Sequence, residues 1–112
     1  MRRMPLRYVI LAHSVNNATH FDLMLEVADQ EKLRTFQLAA RLEQPGATCG
    51  ANEISAHRLA YLEYEGDISG ERGFVRRVEA GTWDALGNSL LLSPAGGVCY
   101  RLEISAGQAC RW

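Results

Sequence analysis

The 112-residue chain has little of several things, and each shortage excludes something. No apolar run approaches the roughly 18 residues needed to cross a bilayer, the longest β-rich one being Tyr8 to Ala12. The basic start, Met1-Arg2-Arg3-Met4, precedes that short stretch with no processing site, so it reads as the lead into a first strand rather than a signal peptide. Three cysteines, Cys49, Cys99 and Cys110, are an odd and widely spaced set with no Cys-x-x-Cys pair. That argues against a disulfide framework or a zinc knuckle and for reduced thiols in a cytoplasm. Lysine occurs once, at Lys32, against eleven arginines, and the net charge is −1. The overall field therefore does not mark a nucleic-acid binder, although arginine forks suit two-point contacts with phosphate. The composition, 47% hydrophobic and 22% charged, excludes collagenous, mucin-like and disordered classes and fits one globular domain over 1–112.

What is present is a succession of short strands. Leu6 to Ala12 is rich in β-formers and reads as a mostly buried strand, followed by a polar loop from His13 to Thr19. Phe21 to Val27 alternates, with Asp22, Met24 and Glu26 on one face and Phe21, Leu23, Leu25 and Val27 on the other. Further strands are expected at Leu33–Ala39, at Leu59–Glu65 around Tyr61, and at Phe74–Ala80, the last ending in a corner over Gly81–Asp84. Gln44–Asn52 reads as loop, Gly66–Gly73 as a turn or bulge, and Ala51–Leu59 has a weak helical pattern. Ser89–Ser93 and Val98–Ile104 form a closing hairpin across Pro94-Ala95-Gly96-Gly97. The spacing predicts a mainly β fold: a small antiparallel β-barrel with long loops and at most one or two short helices, closure sparing so short a chain its exposed edges.

The histidines are scarce too, and two of the three share one segment: His13-Ser-Val-Asn-Asn-Ala-Thr-His20-Phe-Asp22. Strand periodicity puts His20 and Asp22 on one face, and a loop from His13 can return its imidazole to that face. Two imidazoles and a carboxylate are a sound divalent-metal set that leaves positions open for water or substrate. The plain alternative is a solvated strand face with two incidental histidines, and on either reading that face is expected to be solvated or to line a polar cavity. His57 by itself reads as a surface or hydrogen-bonded histidine, and Tyr61 as packing.

These pieces also occur in a recognisable order. His20-Phe21-Asp22-Leu23-Met24-Leu25-Glu26 resembles the His-Tyr-Asp-Phe-Arg-Leu-Glu signature of the 3′-phosphoesterase domain of bacterial DNA ligase D. Arg7 to His13 looks like that family's strand ending in its first histidine. His57-Arg58-Leu59-Ala60-Tyr61 with Glu65-Gly66-Asp67-Ile68 is similar to its His-Pro-Leu-Asp-Tyr segment and the tail that follows, and Gly73 and Gly81-Thr82-Trp83 continue the match. The resemblance runs from about Leu6 to Trp83. It implies a compact β-barrel that trims 3′-ribonucleotide and 3′-phosphate ends of DNA in repair, using manganese. It also implies metal-ligand places for His13, His20 and Asp22, phosphate-holding places for His57 and Tyr61, and nucleic-acid 3′ ends and DNA-repair proteins as partners. Three features depart from the family: Met24 stands where it has an arginine, the His13–His20 spacing is one residue longer, and the turn at Ile68–Gly73 is shortened. Arg72, Arg58 and Arg34 are candidates to replace the missing cation. Two further classes compete: an inactive or weakened module of the same fold that binds nucleic-acid ends or a protein, and an iron oxygenase using His20, Asp22 and His57.

Overall fold

A computed structural model describes residues 5–112. The basic start over 1–4 lies outside the described residues. The strands are β1 (Leu6–Val15), β2 (Ala18–Leu25), β3 (Lys32–Leu38), β4 (Thr48–Arg58), β5 (Gly66–Asp67), β6 (Phe74–Leu86), β7 (Ser89–Pro94), β8 (Tyr100–Ser105) and β9 (Gln108–Arg111). One turn of 3₁₀ helix, Leu59–Leu62, follows β4. Pairing runs β1-β2-β3-β4-β9-β8-β7-β6, and β6 pairs back onto β1. Eight antiparallel strands thus close the expected barrel, with β5 an added pair of residues beside Phe74 and Val75 of β6. Among the described residues no helix is long and apolar enough to cross a membrane.

Several elements differ from the sequence reading, each for a physical reason. The expected loop His13–Thr19 is a hairpin: β1 runs on to Val15, and only Asn16 and Asn17 turn the chain, at φ +49° and +68°. Asparagine tolerates this left-handed backbone, and a two-residue turn of this hand matches the strand twist. Of the weakly helical stretch Ala51–Leu59, all but Leu59 belongs to β4, which also takes up the second half of the expected Gln44–Asn52 loop. The cause is distant in sequence: Thr48–Gly50 pair with Gln108–Cys110 of β9, a strand that local alternation did not show. Leu59–Glu65 is not a strand, because the chain leaves the sheet in the 3₁₀ turn at Leu59–Leu62. The expected corner at Gly81 is absent, since β6 continues to Leu86 and changes neighbours there. Gly81 pairs with both Tyr8 and Pro94, and a Cβ on it would stand 2.0 Å from the Ser93 carbonyl oxygen.

The barrel has two apolar layers. Its interior holds Tyr8, Ile10, Leu23, Leu25, Leu92 and Leu102. A second layer lies on the outer face of β1, β2, β3 and β6, where Val9, Leu11, Met24, Leu33 and Val75 are covered by Leu62 from the 3₁₀ turn. At about 1.5–3 kcal/mol per fully buried aliphatic side chain, this covering seals the 59–73 crossover to the barrel wall. Alternation alone predicts that the face carrying Asp22 and Met24 is solvated or lines a polar cavity; it does neither, Asp22 being 2% exposed and Met24 1% beneath or beside the outer apolar layer.

Candidate metal centre and neighbouring aromatic cluster

The β1–β2 register places His13 directly opposite His20 and Leu11 opposite Asp22. Cross-strand partners share a face, and so do residues two apart on one strand. His13, His20 and Asp22 thus converge by sheet geometry, with no loop needed to bring His13 back. His13 Nδ1 is 3.2 Å from His20 Nε2 and 3.5 Å from Asp22 Oδ2, and His20 Nε2 is 3.2 Å from Asp22 Oδ1. The two rings meet edge to face, centroids 4.7 Å apart.

The donor set fits a divalent cation. Two ligand atoms about 2.1 Å from a shared ion stand roughly 3.0 Å apart at a right angle and about 3.4 Å apart at the tetrahedral angle. Two of the three separations here, both 3.2 Å, fall within that interval, and the third, 3.5 Å, lies just beyond its upper end. Asp22 supplies a second indication, because its buried Oδ1 accepts no hydrogen bond. His20 Nε2 lies 3.2 Å away, but its approach is not that of a donated hydrogen bond. A buried carboxylate oxygen with no donor is costly unless a charge answers it. His13 Nε2 lies 2.8 Å from the main-chain carbonyl of Arg72, at the end of the crossover. Among the described residues this trio is the one grouping of three or more such side chains close enough to share an ion.

His57 and Tyr61 come together, but apart from that trio. His57, on β4, pairs with Leu33 of β3, on the same outer face as Asp22 but two strands across the sheet and four residues further along it, since Asp22 pairs with Gln37; at the usual strand spacing and rise that is roughly 16 Å. Its Nδ1 donates to the Ser55 carbonyl at 2.9 Å, which leaves Nε2 outward. Tyr61 packs against the outer apolar layer, its ring 5.7 Å from His57 and 6.0 Å from Tyr64. A cavity of about 240 Å³ opens here, lined by Arg58, Tyr61, Tyr64, Asp67 and Ser69 among others. That is below the usual range for a drug-sized ligand and suits a phosphate or a single sugar. A wider hollow of about 680 Å³, between Asp29, Lys32, Arg34 and Glu53, contains none of the histidines. The His20, Asp22 and His57 triad of the oxygenase alternative is not the set that assembles, because His13 occupies the third place.

The candidate replacement cations divide. Arg34 is held by both oxygens of Glu53, at 2.7 and 3.1 Å, and lies over Phe36 at the barrel's inner face. This contact raises the Arg34 guanidinium pKa and lowers that of the Glu53 carboxyl, mainly through the hydrogen bond in each case. Arg72 folds onto Ser69, with Nε 2.7 Å from its carbonyl. Arg58 alone of the three lines the cavity beside Tyr61.

Sequence reasoning missed two contributors. One is the Arg72 carbonyl, since a main-chain atom carries no residue signature. The other is Glu79 inside the barrel, which accepts from Tyr8 at 2.6 Å and Tyr100 at 2.5 Å. Burial, followed by the bond to Glu79, pushes both phenols above the ordinary tyrosine range.

No family model matches the chain, and no curated protein matches it in sequence.

Proposed function

We propose that this protein is a metal-dependent phosphoesterase of the kind found in the 3′-end-processing module of bacterial DNA ligase D, acting on 3′-phosphate or 3′-ribonucleotide ends of DNA. The observation that carries the reading is Asp22: a carboxylate 2% exposed, one oxygen without a hydrogen bond, and two imidazole nitrogens at 3.2 and 3.5 Å. His13 and His20 with Asp22 would hold the cation, and mixed imidazole and carboxylate donors suit manganese among other divalent ions. Bound there, such an ion neutralises phosphoryl oxygens and lowers the pKa of water.

The chain's own groups supply the rest. His57 is fixed through Nδ1 by Ser55, so its imidazolium form presents Nε2–H outward as a charged donor. With the Tyr61 hydroxyl and Arg58 it would bind the phosphate and stabilise charge on the transferring group. The outer apolar layer between this cluster and the His13 end holds both on one rigid face. The test is hydrolysis of a 3′-phosphorylated primer by purified protein with manganese, alongside a metal-binding titration. Release of phosphate that depends on Asp22 supports the reading; a metal-loaded protein that releases none refutes it.

A second reading has its own observation. Met24, where the resembled family carries arginine, is 1% exposed within the outer apolar layer, so no cation enters from that position. A charge-assisted contact of this type is worth up to about 3 kcal/mol, or roughly a hundredfold in rate. A binding module for nucleic-acid ends, with weak or absent turnover, would retain the metal and bind a 3′-phosphate primer in a gel-shift titration without cleaving it.

A further inference from the structure

Resting on the metal reading above, we propose that the Arg72 main-chain carbonyl is the outer-shell group that sets His13 for cation binding, and that Gly73 is the positioning residue that lets this carbonyl reach it. A carbonyl oxygen can only accept. The 2.8 Å contact therefore requires the proton on His13 Nε2. In the neutral ring the lone pair then lies on Nδ1, the atom facing His20 Nε2 and Asp22 Oδ2. Metal-bound histidines commonly have their second nitrogen anchored in this way, which fixes tautomer and ring orientation together.

The crossover is built to hold that carbonyl in place. Ile68 N–H donates to the Gly73 carbonyl at 2.8 Å, closing the loop, and the Arg72 guanidinium braces it through Ser69. Gly73 has φ +99°, and a Cβ there would stand 2.2 Å from the Ser14 carbonyl oxygen and 2.7 Å from Val15 Cγ2. Glycine is thus required both by backbone conformation and by the closeness of β1 immediately beyond His13. Relieving that overlap takes a displacement of about 1 Å, which would carry the 2.8 Å contact past normal hydrogen-bond range. The residue after the accepting carbonyl therefore controls a ligand on a different strand.

The experiment uses zinc as a diamagnetic probe on the full chain, with isothermal titration of Zn²⁺ and Mn²⁺ and nitrogen-15 spectra of the histidine rings. The expected result for the native chain is zinc on His13 Nδ1 with Nε2 protonated. Gly73→Ala should weaken both ions by about 10- to 100-fold with the barrel still folded, the usual effect of losing an outer-shell partner. Unchanged affinity in a folded Gly73→Ala protein, or zinc on His13 Nε2, overturns the inference and leaves the proposed function standing. If Gly73→Ala does not fold, the ring spectra of the native chain decide by themselves. A native chain that binds neither ion overturns the metal reading and this inference with it.

Discussion

Across the β1–β2 hairpin, Nδ1 of His13 and Nε2 of His20 stand 3.2 Å apart with the buried Asp22 carboxylate beneath both. Two nitrogen lone pairs at that distance repel unless a proton or a cation lies between them. The two-residue Asn16-Asn17 turn sets this pairing, since a one-residue slip would send one ring to the other face of the sheet.

Removing the carboxylate's charge while keeping its shape isolates its role. Asp22→Asn is expected to lower manganese and zinc affinity by a hundredfold or more by titration calorimetry, while circular dichroism stays that of the native barrel. Affinity within threefold of native would take Asp22 out of the ligand set.

Metal should also stabilise the fold. Free ion at a hundred times its Kd adds about 2.7 kcal/mol by mass action, a rise in Tm on the order of 10 °C for a domain of this size. Thermal melts with manganese and then with a chelator should show the rise and its reversal, and Asp22→Asn should show neither.

His57→Ala and Tyr61→Phe separate phosphate handling from metal binding. Both side chains stand outside the His13, His20 and Asp22 cluster, so metal affinity should hold. Turnover of a 3′-phosphate primer should fall, by about a hundredfold for His57→Ala if it supplies charge to the transition state. Joint loss of metal affinity and turnover would contradict this division.

Gly81→Ala probes barrel closure. Its Cβ would meet the Ser93 carbonyl oxygen at 2.0 Å and Pro94 Cα at 2.9 Å, both main-chain atoms that cannot rotate away. A loss of at least about 3 kcal/mol is expected from the denaturant midpoint.

The barrel interior predicts weakness to alkali. Tyr8 and Tyr100 have pKa values raised by burial and by Glu79, so the folded state keeps protons the unfolded chain gives up. Their contribution is fully present below the unfolded tyrosine pKa near 10 and declines as pH rises above it. Replacing both by phenylalanine should flatten that alkaline decline. The same change should cost about 1–3 kcal/mol at neutral pH, because Glu79 loses two donors.

Much of the fold and part of the site were legible in the chain itself. Strand alternation is a local property, and Leu6–Ala12, Phe21–Leu25, Leu33–Leu38 and the hairpin after Ser89 follow from it. The His20-x-Asp22 pair shares a face by the same period of two. The 3₁₀ turn is not legible in the same way, because Leu59, Tyr61 and Leu62 present apolar groups that fit either a strand or a cover.

By itself, then, the sequence determined the strand-rich architecture and the chemistry available at His13, His20 and Asp22. Only the tertiary structure decided that Asp22 is buried, that His57 and Tyr61 stand apart from the His13, His20 and Asp22 cluster, that β9 completes the wall beside β4, and that Arg72 reaches His13. The reason is physical: alternation within a strand is set by neighbouring residues, whereas register, closure and covering depend on contacts between segments far apart in the chain, whose partners local pattern does not name.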